Sequence, residues 1–310
     1  MPLATLIWLV CLAPTTAPAV PDGMVYVPGG TVSIGDDTTL PEEAPRHSVE
    51  VSPLFFDVHE VTNNQYAEFV EATGYVTVAE RVPDPADFPG ADPALLVPGS
   101  VVFTPPPAGT NPQTWRQWWS WVPGANWKQP EGPGSDLAGR GDHPAVHVAF
   151  EDAQAYAEWA GKRLPTEAEW EAAARGGLVG KRYAWGDEQR PGGQVLANHW
   201  QGVFPMENLN ADGFVGLAPV GRFPANGYGL HDMAGNAWEW TASPWTRDHR
   251  PGSPDDPGAM TLKGGSFLCA DNYCYRYRPA GRTRGEVDTG SSHVSFRCVI
   301  DAGVGVGTGE

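Results

Sequence analysis

The chain has 310 residues, enough for one large domain or two small ones with a full core. Its 20 Lys and Arg against 37 Asp and Glu give a formal charge of −17, which argues against partnership with nucleic acid or with an anionic membrane surface. With 13 Trp and 11 Phe beside 38 Gly and 31 Pro, the composition excludes intrinsic disorder and describes a loop-rich globule held by aromatic clusters.

The chain opens with an apolar run of about ten residues, too short to span a bilayer and suited to the core of a signal peptide. Ala17-Pro18-Ala19 then supplies a small-x-small cleavage pattern, although the basic segment that usually precedes such a run is missing. Residues 1–19 therefore read as an export signal, which makes the mature protein secreted or periplasmic. A start codon assigned too far upstream would instead leave it cytoplasmic. Val10 stands before Cys11 where a lipoprotein signal carries a small residue, so lipidation is not expected. No later segment is apolar for long enough to cross a membrane.

Met24 to Asp37 reads as strand, Pro28-Gly29-Gly30 turn, and a second strand ending near Gly35. Val49 to Val58 holds another alternating run. Thr62 caps a helix that carries Tyr66, Phe69 and Val70 on one face and stops at Gly74. Residues 82–142 read as a long irregular loop rich in Pro and Gly. Its Trp115, Trp118, Trp119, Trp121 and Trp127 serve either as aromatic staples or as an apolar wall for a bound peptide. A helix beginning near Asp152 is expected to bury Ala155, Tyr156, Trp159 and Ala160 and to end at Gly161. Thr166 and Glu169 form a capping box for the next helix, which Gly176-Gly177 closes. Beyond it only short strands and turns are expected. No internal repeat or linker divides the chain, so a single domain is expected over 22–302, with a flexible tail at 303–310.

Four cysteines are present, and Cys269 and Cys274 lie close together among glycine, aromatic and arginine residues. Such a pair suits a disulfide, a redox couple or a soft metal ion. The spacing is not Cys-x-x-Cys, which argues against a thioredoxin-type centre or half of a zinc ribbon. Two thiolates without a nearby histidine suit copper(I). Asn198, His199, Asp212 and Phe214 flank one short loop, and Asp232 lies in a second glycine-rich group. Both offer the oxygen donors that Ca²⁺ takes, and both are equally what Asn, Asp and Gly do in ordinary turns. Arg276, Arg278, Arg282, Arg284 and Arg297 form a basic cluster that either holds a peptide or pairs with nearby acids. The eight histidines show no His-Glu-x-x-His pattern, and no Gly-x-Ser-x-Gly, P-loop or dinucleotide fingerprint appears.

Read together, several segments resemble the sulfatase-modifying-factor family and, within it, the aerobic formylglycine-generating enzymes. They are Met24 to Gly30, Glu60 to Tyr66, His143 to His147, Gly161 to Glu171, Tyr183 to Gly186, Asn226 to Trp240, Gly264 to Ser266 and Phe296 to Cys298. Most of these mark the fold, which sulfoxide synthases and non-enzymatic relatives share. Gly-Gly-Ser-x-x-Cys-x-x-x-x-Cys is what points to the oxidase branch. The resemblance implies a loop-rich α+β fold of the C-type-lectin-like kind. It further implies that Cys269 and Cys274 hold Cu(I), and that a cysteine in a Cys-x-Pro-x-Arg stretch of an unfolded sulfatase is oxidised by dioxygen to Cα-formylglycine.

By the same resemblance Ser266, Tyr273 and Trp238 join the two cysteines as catalytic residues, while Arg276 and His293 contact substrate. Two structural Ca²⁺ ions are implied. One falls on Asn198, Asp212 and the carbonyls of His199 and Phe214, the other on Asp232 and the carbonyls of Met233, Gly235 and Ala237. The protein is expected to work as a monomer on an unfolded polypeptide or peptide. Ala270 and Ser295 depart from the usual family residues, which leaves open an oxidase of a different thiol. A non-catalytic peptide-binding member is the remaining alternative. Ala157, Ala174 and Pro279 remove the disulfides of animal members, leaving Cys298 free and buried.

Overall fold

The computed structural model describes residues 19–86, 88–107, 114–249 and 258–303. But for their inner edges, the export signal expected over 1–19 and the tail expected over 303–310 lie outside the described residues. Strands β1 (Met24–Val27) and β2 (Gly30–Ile34) flank the Pro28-Gly29 turn as the sequence predicts. The alternating run that follows resolves into two strands, β3 (His47–Val51) and β4 (Leu54–Asp57), because Pro53 has no N–H with which to continue a ladder.

Helix α1 (Asn63–Thr73) starts at the expected cap. Thr62 Oγ1 accepts from Gln65 N at 3.3 Å, the Gln65 carboxamide accepts from Thr62 N at 2.9 Å, and Gly74 ends the helix in the left-handed conformation.

The stretch expected to be an irregular loop contains a two-stranded antiparallel ribbon, β5 (Gly99–Phe103) and β6 (Trp119–Pro123). It pairs Val101 with Trp121 and Phe103 with Trp119. Phe103 N and the Val101 carbonyl then bond Ser292, so the ribbon is docked on the segment that carries His293.

Helix α2 (Phe150–Trp159) turns a different face inward from the one expected. Asp152, Ala153, Tyr156 and Ala157 are buried, while Trp159 is exposed. The polar Asp152 goes inside because its carboxylate accepts from Ala149 N (2.9 Å), Val78 N (3.0 Å) and Tyr75 OH (3.0 Å). Helix α3 (Glu167–Arg175) keeps the Thr166–Glu169 capping box and the Gly176 stop.

The second half supplies β7 (Trp238–Pro244), β8 (Ala259–Lys263), β9 (Arg282–Glu286), β10 (Val294–Ser295) and β11 (Val299–Asp301). One sheet runs β10-β7-β8-β9. Another, β1-β4-β11, pairs Phe56 with Val25 on one side and Val299 on the other, so the first and last strands share one sheet. The result is an α+β fold of three α-helices, short 3-10 turns and short strands among the described residues. None of those helices is long and apolar enough to cross a membrane.

Buried ion pairs join the layers. Glu239 of β7 receives both Arg297 Nε and Nη2 at 2.8 Å and the Trp170 indole N–H of α3 at 2.7 Å. All three side chains are fully buried, so this strut fixes β7, and with it Trp238, against α3 and the C-terminal segment.

Candidate functional site

Between β8 and β9 the chain makes two tight turns that carry the cysteines. Gly264 and Gly265 both have positive φ (93° and 75°), and a Cβ on Gly265 would lie 2.9 Å from the Tyr277 backbone, so only glycine fits there. Ser266 follows, fully buried, with its carbonyl accepting from Cys269 N at 2.9 Å and its hydroxyl from Leu268 N at 3.3 Å. The Ala270 carbonyl then accepts from Tyr273 N (3.1 Å) and Cys274 N (2.9 Å), folding the chain back until the Cys269 and Cys274 Cα atoms stand 4.5 Å apart. The loop is braced from behind. Asn272 bonds both the N–H and the carbonyl of Phe204, and Asp271 accepts from Tyr277 OH (2.5 Å) and Gln189 Nε2 (3.0 Å).

In this structure the two cysteines form a disulfide, and both are buried at the floor of a cavity of about 430 Å³. The cavity wall brings together every residue named for catalysis or substrate contact: Ser266, Tyr273, Trp238, Arg276 and His293 line it beside the pair. Tyr273 is half-exposed at the rim and stacks on Phe204 (4.2 Å between centroids). His293 packs against Trp119 with its ring tilted (4.7 Å between centroids), and its Nδ1 shares a hydrogen with Ser291 Oγ at 2.8 Å. Burial, reinforced by His147, pushes its pKa down to about 3, so the ring is neutral. The five tryptophans of the long connection divide between the two readings. Trp118 and Trp127 are buried staples, whereas Trp119 lines the thiol cavity and Trp115 and Trp121 are exposed.

The arginine cluster is mostly structural. Arg278 pairs with Glu43, Arg282 with Glu167, Arg284 with Glu286 and Arg297 with Glu239. Arg276 lines the cavity but is already held by Glu42, through Nη2 at 2.6 Å and Nε at 3.1 Å. Its charge is thus balanced, and what it offers a substrate is its remaining N–H donors.

The donor chemistry of the cysteine pair is compatible with the Cu(I) that the resemblance implies. Among the described residues no cluster of three His, Cys, Asp or Glu side chains surrounds a common point. Reduced, the pair therefore offers two soft sulfurs, a low-coordinate set matched to Cu(I) and short of what Zn²⁺ takes.

In the first oxygen group, Asp212 accepts from Phe214 N (3.0 Å) and His199 N (3.2 Å). The Gln201 amide lies between Asp212 Oδ2 (2.7 Å) and the His199 carbonyl, so two of the expected cation ligands converge on one N–H₂ group. Asn198 Nδ2 is turned to Gly216 O and Asn236 Oδ1.

The second group reveals a residue that sequence reasoning left without a role. Glu60 is fully buried; its Oε1 accepts from Asn236 Nδ2 at 3.0 Å, but its Oε2 has no hydrogen-bond partner, with Arg297 3.8 Å away. Desolvation and the neighbouring Asp232 charge push the Glu60 pKa well up, and burial raises Asp232 too. Two buried carboxylates with one orphaned oxygen are what a divalent cation satisfies. The available signal was a single carboxylate just ahead of the Thr62 cap in an apolar stretch. Gly235 completes this corner: a Cβ there would meet the Asn198 carbonyl at 2.0 Å, so the two oxygen groups are packed directly together.

A family model, the Sulfatase-modifying factor enzyme 1-like domain, matches residues 12–302. A formylglycine-generating enzyme of Mycobacterium tuberculosis is 53% identical over 292 residues, covering 90% of this chain and 97% of that one. A mouse protein named inactive C-alpha-formylglycine-generating enzyme 2 is 39% identical, over 98% of this chain and 94% of its own. Among solved structures, PvdO from Pseudomonas aeruginosa superposes with a TM-score of 0.58 at 21% identity, covering 89% of this chain and 93% of that one, a likeness of fold alone.

Proposed function

The chain belongs to the formylglycine-generating enzyme family, and from that premise we propose that it oxidises a cysteine in a Cys-x-Pro-x-Arg segment of an unfolded sulfatase to Cα-formylglycine, using Cu(I) and dioxygen. The observation that carries this reading is the convergence of Cys269 and Cys274 at the floor of a cavity walled by Ser266, Tyr273, Trp238, Arg276 and His293. Family membership alone would not separate an enzyme from an inactive relative; the paired thiols beneath an open cavity favour the enzyme.

When bound, copper would supply one-electron chemistry with dioxygen. The residues of this chain would do the rest. Cys269 and Cys274 would hold the metal once their disulfide is reduced, leaving the cavity side open to the substrate thiolate. The walls of Trp238, Trp240 and Leu262 would exclude water from the reacting carbon. The Ser266 hydroxyl and Tyr273 OH would orient dioxygen or a proton-carrying water. His293, being neutral, would serve as a hydrogen-bonding group and not as a charge. The thiol loses two electrons on becoming a thioaldehyde, whose hydrolysis gives the aldehyde and hydrogen sulfide. Taking dioxygen to two waters needs four electrons, so two more must come from a reductant, and two thiols of the kind that opens the cysteine pair would supply them on joining as a disulfide.

Calcium is proposed as structural, at Asp212 with Asn198, His199 and Phe214, and at Asp232 with Met233, Gly235 and Ala237; the orphaned Glu60 oxygen supports adding Glu60 to the second site. Residues 1–19 are proposed as a cleaved export signal, which N-terminal sequencing of the mature protein would test.

For the metal site, Cu(I) competition against a chromophoric chelator should give one tight ion per reduced chain and none in Cys269→Ser or Cys274→Ser. Undiminished affinity in either variant would remove the copper assignment.

A further inference from the structure

A second, larger cavity of about 770 Å³ lies beside the thiol cavity, and Thr289 and Gly290 form part of the wall of both. An extended polypeptide leaving the cysteine pair past these two residues therefore reaches the second cavity next. We propose that this second cavity docks a short apolar stretch of the substrate outside the Cys-x-Pro-x-Arg segment, so that the enzyme reads, beside the motif, hydrophobic residues that only an unfolded chain displays. The proposal rests on the reading of the thiol cavity as the oxidation site.

Its chemistry is apolar. Val82 and Leu95 on the rim are 70% and 73% exposed, and Phe88 and Trp121 beside them are 41% and 44% exposed. Isolated exposed apolar residues are ordinary, but four together on the mouth of a cavity mark an interaction surface. The volume falls within the range of small-ligand sites and has room for more than one side chain. The single guanidinium lining it, Arg81, is occupied by Glu151 (2.6 Å) and the Val76 carbonyl (2.9 Å). Asp84 Oδ1 accepts from Ala86 N, and Asp288 Oδ1 accepts from Thr289 Oγ1. The remaining charge at the mouth is thus acidic, which disfavours acidic segments and leaves apolar or basic-flanked ones.

Binding here would tie selectivity to folding state. In a folded globular substrate the large apolar side chains are inside, so a folded chain could present the motif but not the anchor. In an unfolded chain both are available within a few residues, at roughly 3.3 Å of reach per residue.

The test uses two labelled peptides in which the target cysteine is Ser, so that binding is read without turnover. One carries the motif with Gly/Ser flanks, and the other places a Leu-Phe pair at varied distances on either side. Fluorescence anisotropy with the full chain should show the apolar peptide binding about tenfold tighter at the matching distance, the size expected for burying one large apolar side chain. Val82→Asp with Leu95→Asp, at positions exposed enough to leave the fold alone, should bring the affinity ratio close to one; each is also made singly. Equal binding of both peptides to the unaltered protein, or equal weakening of both in the variant, overturns the docking site. Conversion of the Gly/Ser peptide with its cysteine restored, at saturating concentration, is read separately. Its failure alongside an intact affinity ratio counts against the oxidation chemistry and not against the docking site.

Discussion

Replacing Glu60 by Gln should have opposite effects with and without calcium. In ion-free protein the Glu60 Oε2 is buried and lacks a hydrogen-bond partner, with Arg297 3.8 Å away and the Asp232 charge bearing on it. Leaving a buried polar group unsatisfied costs about 1–3 kcal/mol. Glutamine keeps the Oε1 that accepts from Asn236 and places a donor where the orphaned oxygen stood. In excess chelator, Glu60→Gln should therefore raise stability by about 1–3 kcal/mol, or roughly 2–12 °C in Tm at about 2–4 °C per kcal/mol. With millimolar calcium the order should reverse, because the variant has lost a ligand while the unaltered protein gains from an ion bound only in the folded state. Differential scanning fluorimetry of both proteins, with chelator and with calcium, reads the four melting temperatures. A variant that melts lower by the same margin in both conditions would refute the reasoning, because Glu60 would then be an ordinary partner of Arg297.

Three further outcomes follow from other parts of the molecule. Gly265→Ala should displace the cysteine loop, since its Cβ would lie 2.9 Å from the Tyr277 backbone at a φ of 75°; a loss of about 1–3 kcal/mol in urea unfolding with weakened copper affinity is expected, and unchanged affinity would contradict it. Arg297→Ala should cost about 3–5 kcal/mol by leaving Glu239 buried and unpaired, and a near-neutral urea midpoint would show that the strut contributes little. Burial pushes the Asp152 pKa from 3.8 up to about 6, so the stability of its neutral form is complete below pH 4 and is lost as pH rises through 6. Asp152→Asn should gain on the unaltered protein between pH 4 and pH 7, by on the order of 2–3 kcal/mol, and a pH-independent difference would count against a raised pKa.

What was legible in the sequence was local. The caps at Thr62 and Thr166 and the stops at Gly74 and Gly176 depend on neighbours within four residues, and they stand where the sequence puts them. The cysteine pair was legible for the same reason, because its loop closes on itself. The face of α2 was misread because Asp152 looks solvent-bound until Val78 and Tyr75, more than seventy positions earlier, bring donors to it. The β5–β6 ribbon was missed because its strands are separated by a proline-rich connection and meet only in the folded chain. The arginine cluster left two readings open, and only the positions of Glu42, Glu43, Glu167 and Glu239 decide between them. Glu60 was hidden because Asp232, whose charge bears on it, comes much later in the chain.

The paired thiols are proposed to carry out a copper-dependent oxidation of a protein cysteine. Mass spectrometry of a Cys-x-Pro-x-Arg peptide, incubated with reduced, copper-loaded protein under oxygen, tests it most directly. Conversion of the cysteine to the aldehyde is expected with the unaltered protein, and none with Cys269→Ser or Cys274→Ser. Unconverted peptide with the loaded protein, or equal conversion by either variant, would contradict it.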